Sequence, residues 1–363
     1  MAHKRLISGK SEGDQEEHFN LSLRPTRLAD YVGQPKLIEK LSITLEAVTQ
    51  RGEPMEHVLL HGPPGLGKTT LAHIIAKELS THLAVTSGPA LNRPTDLVGT
   101  LTKLQHRDVL FIDEIHRLSP VVEEYLYPAM EDFKIDFTLD SGLHAKTITM
   151  PLKPFCLIGA TTRAGLLSGP MRSRFGITHN LEFYGVEDLL KILHRSAVLM
   201  DLLDESAAPA QTNGTLEALG TIGRRCRGTP RIANRLLRRV RDYAQVRADG
   251  TLTSEIVDEA LRLEGVDVLG LDDLDRKYLR AIVDIYQGGP VGLEAVAATL
   301  GEDAGTLEDI VEPYLLQVGF LARTRKGRQL TARGANYMGV DLQPRDAEGS
   351  LFEDDSIRKV EGP

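Results

Sequence analysis

Residues 62–70 read GPPGLGKTT: Gly62, Pro63, Pro64, Gly65, Leu66, Gly67, Lys68, Thr69 and Thr70. The apolar run Val58, Leu59, Leu60 precedes them, and Leu71, Ile74, Ile75 and Leu79 follow at helical spacing. The stretch is G-x-x-x-x-G-K-T set between a strand and a helix, the context a P-loop requires, whereas a merely structural Gly/Pro turn needs no such flanks. Gly65 and Gly67 let backbone N–H groups turn inward around phosphate oxygens, and the helix starting near Lys68 adds the positive end of its dipole. Lys68 is expected to reach the β and γ oxygens and Thr69 to hold Mg²⁺.

Two more buried strands flank this unit, DVLFIDE at 108–114 and FCLIGATT at 155–162. Strands alternating with helices predict a doubly wound parallel α/β sheet, in which ligands sit at the carboxyl ends of the strands. The first of the two ends in Asp113 and Glu114. Asp113 is suited to Mg²⁺ through water and its neighbour Glu114 to activating a nucleophilic water. Standing alone, an apolar run followed by Asp-Glu is an ordinary strand end; beside a P-loop it acquires a chemical task. Thr162 closes the other strand, either as a satisfied strand-end hydroxyl or as the group that orients the attacking water.

Between those strands Phe133, Ile135, Phe137 and Leu139 alternate with Lys134, Asp136, Thr138 and Asp140. A period of two predicts an exposed hairpin, with Asp140–Gly142 as its turn region and Thr147–Met150 as its return strand. On periodicity alone it is either an edge decoration or a docking element.

Past Phe183 only helical patterns remain to about residue 264, with the small, aperiodic stretch 204–214 expected as a loop. Residues 224–247 carry nine arginines, among them Arg231, Arg235, Arg238 and Arg239, against the one acid Asp242. Such a run reads as a solvated face, an intersubunit ion-pair surface or a DNA contact. Amphipathic patterns at Leu274–Tyr286, Leu293–Leu300 and Thr306–Val318 then lead into GFLARTRKGRQLT at 319–331. Three short helices and a basic two-stranded hairpin predict a winged helix, with Arg323, Arg325, Lys326 and Arg328 around the turn at Gly327 suited to phosphate contacts. No acid lies near them in this part of the sequence.

The chain has 363 residues, too many for one ordinary domain. The divisions expected are a disordered tail at 1–20, an ATPase domain at 21–184, a helical lid at 185–265, a winged-helix head at 266–342 and a disordered acidic tail at 343–363. Hydrophobic residues at 41% and charged residues at 26% exclude a collagen-like, largely disordered or membrane-embedded chain. The formal charge is −8, so any DNA contact must rest on local basic patches. No apolar run approaches the roughly 18 residues of a spanning helix, and the start lacks the apolar core of a secretory signal, which gives a cytoplasmic address. Cys156 and Cys226 stand far apart with no CxxC or Cys/His cluster, so neither a disulfide framework nor a zinc site is expected.

GPPGLGKTT, DVLFIDEIHRLSP, LYPAMED, GATTRAGLLSGPMRSRFGI and RGTPRIANRLLRRVRD occur in that order. Together they closely resemble the RuvB family, bacterial Holliday-junction branch-migration motors of the AAA+ class, and the likeness runs from about residue 21 to about residue 340. The resemblance implies an ATP-driven homohexameric ring that moves duplex DNA at four-way junctions, with RuvA gripping the crossover and RuvC resolving it. It further implies that Arg174, or its neighbour Arg172, is an arginine finger acting on the next subunit, and that Arg231 is the lid's nucleotide sensor. Leu23, Arg24 and Tyr184 match adenine and phosphate positions, and Glu131, Asp132 and Phe133 a segment near the nucleotide. By the same resemblance the 133–150 hairpin docks the RuvA partner through its apolar face, and Arg323 and Arg328 contact DNA. Thr162 stands where many AAA+ proteins have Asn, and the 204–214 stretch looks longer than the family's usual connection. A clamp-loading or protein-remodelling ATPase shares the nucleotide chemistry and is the alternative; the basic wing favours DNA. A winged-helix regulator that uses nucleotide only as a switch would leave Glu114 and Arg174 without a task.

Overall fold

The computed structural model describes residues 23–138, 147–203 and 209–341. The tails expected at 1–20 and 343–363 lie outside them. The chain forms two compact units, Met1–Asp273 and Leu274–Pro363.

In the first unit, α1 (Pro35–Arg51) leads to β1 (Val58–His61), and α2 (Lys68–Glu78) follows the P-loop. Next come β2 (Leu83–Ser87), α3 (Pro94–Leu101), β3 (Val109–Asp113) and α4 (Pro120–Glu131). The hairpin β4 (Lys134–Thr138) and β5 (Thr147–Pro151) precedes β6 (Cys156–Thr161), the short α5 (Gly169–Ser173) and β7 (Ile177–Asn180). The main sheet is parallel in the order β2-β3-β6-β1-β7, so the predicted doubly wound arrangement holds.

Side chains alternate across this sheet with period two, and both faces are covered. Val58, Leu60, Val109, Phe111, Cys156, Ile158 and Ala160 enter one core with α1, α2 and the helices after residue 185. Leu59, Leu110, Ile112 and Leu157 enter the other with α3 and α4. The polar residues His61, Asp113 and Thr161 fall where the strands end, and that end carries the chemistry. Cys156 and Cys226 are buried free thiols, and burial pushes both up to about 12. Neither is a reactive thiolate near neutral pH.

The lid consists of α6 (Val186–Leu199), α7 (Pro209–Arg225), α8 (Pro230–Arg247) and α9 (Ser254–Leu263). Helix α7 begins at Pro209, so residues 209–214 are helical, correcting the loop expected over 204–214; residues 204–208 lie outside those described. Proline suits a first helical turn because its φ is preset and its missing N–H would have no partner there. The arginine-rich run is only partly a solvated face. Arg225, Arg227 and Arg235 are buried, with Arg225 on Asp258 and Arg227 Nε donating to the Gly270 carbonyl at 2.7 Å.

The hairpin β4–β5 pairs antiparallel from Lys134↔Pro151 to Thr138↔Thr147. Its apolar face is not wholly available for docking, because Ile135 is fully buried in the second core and Phe133 packs against Phe155 at 5.8 Å. The side chains of Phe137 and Leu139 lie outside those described.

The second unit holds α10 (Asp273–Asp284) and α11 (Leu293–Leu300). A helical stretch Ala304–Thr306 then passes through a π turn, Leu307–Val311, into α12 (Glu312–Gln317). The wing is β8 (Leu321–Thr324) and β9 (Gly327–Leu330), antiparallel, with Val291 bridged to Arg328 at its side. A further helix, α13 (Ala332–Met338), was not legible in the sequence. It is capped by Thr331, whose hydroxyl accepts from Gly334 N at 3.1 Å, and its Tyr337 stacks on Phe320 at 4.9 Å.

Candidate nucleotide site and DNA interface

The loop between β1 and α2 takes its shape from glycines with left-handed φ: Gly62 at +137°, Gly65 at +81° and Gly67 at +103°. A Cβ at Gly67 would lie 2.8 Å from the Tyr31 hydroxyl. Gly67→Ala is therefore expected to strain the backbone by about 1–3 kcal/mol and to abolish tight ATP binding. Calorimetry with ATP against the wild type measures it, and unchanged affinity would rule out a close cradle.

Lys68 is buried, and its Nζ donates to the carbonyls of Gly62 at 2.7 Å and Pro63 at 2.9 Å. Burial lowers its pKa to about 8; Asp113 and Glu114 oppose the shift, and Arg231 adds to it. One end of the sheet thus collects two acids and a second base, Arg231, around a buried ammonium, electrostatics suited to phosphate. Glu114 has a left-handed backbone, φ 49°, and its Oε2 accepts from Thr162 Oγ1 at 3.3 Å. His116 Nδ1 lies 3.2 Å from the same oxygen and 2.8 Å from Thr161 Oγ1. Thr162 therefore faces the Glu114 carboxylate.

Sequence reasoning missed Tyr31 and Gly33. The Tyr31 and Tyr184 hydroxyls are 2.7 Å apart, and Tyr184 donates to the Leu66 carbonyl at 3.2 Å. Burial raises both phenols, Tyr184 to about 12, so both stay neutral. Gly33, φ +81°, lets the Tyr184 ring approach, since a Cβ there would meet the ring at 2.6 Å. The one signal available was the Asp-Tyr-Val-Gly-Gln run at 30–34, with a glycine where the chain turns. On the lid side, Tyr184 N donates to Gly228 O at 2.9 Å, and Arg231 N reaches Gly65 O at 3.4 Å. Leu23 is buried, and the charge of Arg24 adds to the burial that lowers the pKa of His73 on α2.

Arg174 stands apart from this cluster. Its Nη2 pairs with Glu131 Oε1 at 3.0 Å, its Nη1 donates to Pro170 O at 2.7 Å, and its guanidinium lies 4.2 Å over the Tyr127 ring. Asp132 pairs with Lys134 at 2.8 Å. Phe133 lies 6.3 Å from the His57 ring, which precedes β1. That is the strand end opposite the P-loop, so Phe133 is not brought to this chain's own nucleotide loop.

In the second unit the wing arginines are not remote from acids. Arg323 Nε donates to Glu312 Oε2 at 2.7 Å and Arg328 Nε to Glu312 Oε1 at 2.8 Å. The chain separations of 11 and 16 residues hid this from sequence. Arg325 and Lys326 are exposed at the turn.

A parallel sheet with a P-loop, an Asp-Glu strand end, a helical lid closing on the loop and a separate winged helix defines an ATPase of the AAA+ class. Family models match along the chain: the Holliday junction DNA helicase RuvB P-loop domain over residues 23–181, the RuvB AAA lid domain over 184–267 and the RuvB C-terminal winged helix domain over 268–339. The solved Thermotoga maritima RuvB Holliday junction branch migration motor is 49% identical, covering 89% of this chain and 100% of its own, with a TM-score of 0.78. A mutant of that T. maritima protein is 50% identical over 88% of this chain and 99% of its own, with a TM-score of 0.80. The FIGL-1 AAA domain in complex with ADP, at 17% identity and a TM-score of 0.50, shares the fold alone. The chain belongs to the RuvB family.

Proposed function

We infer that this protein is an ATP-hydrolysing DNA motor that branch-migrates Holliday junctions in recombination and DNA repair. The observation that carries the reading is the gathering of Lys68, Asp113, Glu114 and Thr162 at one end of the sheet, in one chain with a basic winged helix, within the RuvB family.

Gly65, Leu66, Gly67, Lys68, Thr69 and Thr70 bind the phosphates, and Leu23, Arg24, Tyr184 and Arg231 hold the rest of the nucleotide and couple it to the lid. Glu114 takes a proton from a water held by Thr162 as that water attacks the γ-phosphorus. The bond from γ-phosphorus to the bridging oxygen breaks, ADP leaves, and Lys68 offsets the charge that develops. The residues fit a magnesium ion: Thr69 follows the P-loop lysine, and Asp113 supplies a carboxylate at the strand end. When bound, Mg²⁺ neutralises phosphate oxygens. Arg174 acts on a neighbour's nucleotide in a homohexamer, and its caging by Glu131 and Tyr127, with no hydrogen bond or ion pair to the P-loop among the described residues, supports that role. Glu131, Asp132 and Phe133 belong to the same intersubunit face.

Arg323, Arg325, Lys326 and Arg328 hold duplex phosphates without reading bases, which suits a motor that must pass any sequence. A RuvA-like protein docks on the 133–150 hairpin and a RuvC-like resolvase joins the larger complex. The work is cytoplasmic. Among the described residues no helix is long and apolar enough to cross a membrane.

The test is dissociation of a synthetic four-way junction with ATP and Mg²⁺, with and without a RuvA partner, comparing wild type with Lys68→Ala. Partner-stimulated dissociation that is lost in the variant is expected. Intact junctions with continuing ATP hydrolysis would transfer the assignment to a clamp-loading or protein-remodelling ATPase.

A further inference from the structure

Arg323 and Arg328 are direct cross-strand partners in the wing, so their guanidinium groups are placed side by side. Like charges directly opposite each other destabilise a strand pair. Beneath them lies Glu312, whose side chain is 0% exposed, against 43% for Arg323 and 18% for Arg328. A carboxylate so buried is tolerated only when its oxygens are fully engaged. Here Oε2 receives Nε of Arg323 at 2.7 Å, and Oε1 receives Nε of Arg328 at 2.8 Å and the Tyr278 hydroxyl at 2.7 Å. Arg328 Nη2 adds a longer bond to Oε2 at 3.4 Å.

Both arginines thus turn the Nε–Nη2 edge to the buried Glu312, with the partly exposed Glu308 Oε1 beside Nη2 at 3.8 Å from Arg323 and 3.7 Å from Arg328, and among the described residues Nη1 of each has no hydrogen-bond partner. The backbone is held as well. Arg328 N donates to Val291 O at 2.7 Å and Val291 N to Arg328 O at 2.9 Å, while Gly327, φ +133°, passes so close to Val291 that no Cβ would fit.

We propose that Glu312 is a positioning residue for DNA binding: it clamps Arg323 and Arg328 side by side so that their outer edges meet adjacent phosphates at little further cost in side-chain order. The inference rests on the reading that these two arginines contact DNA. Exposed Arg325 and Lys326 then supply attraction, and the clamped pair supplies geometry. Preset forks lose less freedom on binding than free ones, which is where the affinity comes from.

The proposal opposes simple electrostatics in sign. Glu312→Gln makes the wing more positive, so if Glu312 only neutralises charge, DNA binds more tightly. If it positions, binding weakens. Full-length wild type, E312Q, E312D and R323A/R328A are compared by fluorescence anisotropy on a labelled blunt duplex with Mg²⁺ and a non-hydrolysable ATP analogue, across a salt series, with the Tm of each. We expect E312Q to bind about fivefold or more weakly and to lose about one unit of salt slope. E312D keeps the charge but draws the carboxylate back by one methylene; it should also weaken binding, and it carries the test if E312Q does not fold. Wild-type or tighter binding by a folded E312Q, or wild-type binding by E312D, overturns the positioning role while R323A/R328A still loses affinity. Wild-type affinity in R323A/R328A instead overturns the DNA-contact reading itself.

Discussion

Arg174→Ala is expected to lower kcat for ATP hydrolysis by about 10³-fold or more while leaving ATP affinity within about tenfold of wild type. The argument is geometric. Arg174 touches Glu131, Pro170 and the face of Tyr127, and these contacts hold a charged fork in a fixed place. A group so held can stabilise transition-state charge at a neighbouring subunit's phosphate without taking part in its own chain's ground-state binding. Loss of the partly exposed pair with Glu131 should itself cost only about 0–1 kcal/mol of stability, so the variant should fold. Arg174→Lys should not rescue it, because an ammonium lacks the planar fork. Normal kcat in a folded, assembled Arg174→Ala would remove Arg174 from the mechanism and promote Arg172, whose charge adds to the burial that lowers the pKa of His61 at the end of β1.

Glu114→Gln is the second large effect: retained ATP binding with kcat reduced by about 10²–10⁴-fold, the contribution of a general base. Glutamine is nearly isosteric, tolerates the same backbone, and can still accept from Thr162, so the site keeps its shape and loses only the ability to take a proton. Binding by calorimetry and turnover by phosphate release separate the two. Turnover at the wild-type rate would exclude Glu114 as the base. Mixing this variant with Arg174→Ala adds a readout that neither gives alone. A mixed interface can pair the intact Glu114 of one chain with the intact Arg174 of the other, so partial recovery of ATPase on mixing is expected if the arginine acts between subunits.

The P-loop was legible in residues 62–70 because everything it needs is local: glycines for positive φ, an apolar run before, a helical period after. The alternation of Phe133 to Asp140 marked the hairpin in the same way. It could not say which apolar residues would serve the chain's own core, and Ile135 and Phe133 turned inward. The 204–214 stretch misled because Asn213 and Gly214 are weak helix formers, and packing of the lid outweighed that preference. Of nine arginines in the lid run, charge counting could not separate Arg225, Arg227 and Arg235, which lie buried, from those that face water.

The sequence by itself determined the class of sheet, the nucleotide loop, the acidic strand end and the basic wing, since each is a pattern of dihedral preference or periodicity within some twenty neighbouring residues. Only the tertiary structure decided that Tyr31 and Tyr184 meet over Leu66, that Glu131 and Tyr127 hold Arg174, and that the buried Glu312 joins Arg323 to Arg328. Those pairings join residues distant in the chain. At Tyr184 and Glu312 burial removes the water that would otherwise satisfy the polar group, and there as at the half-exposed Glu131 the partner depends on how whole elements pack.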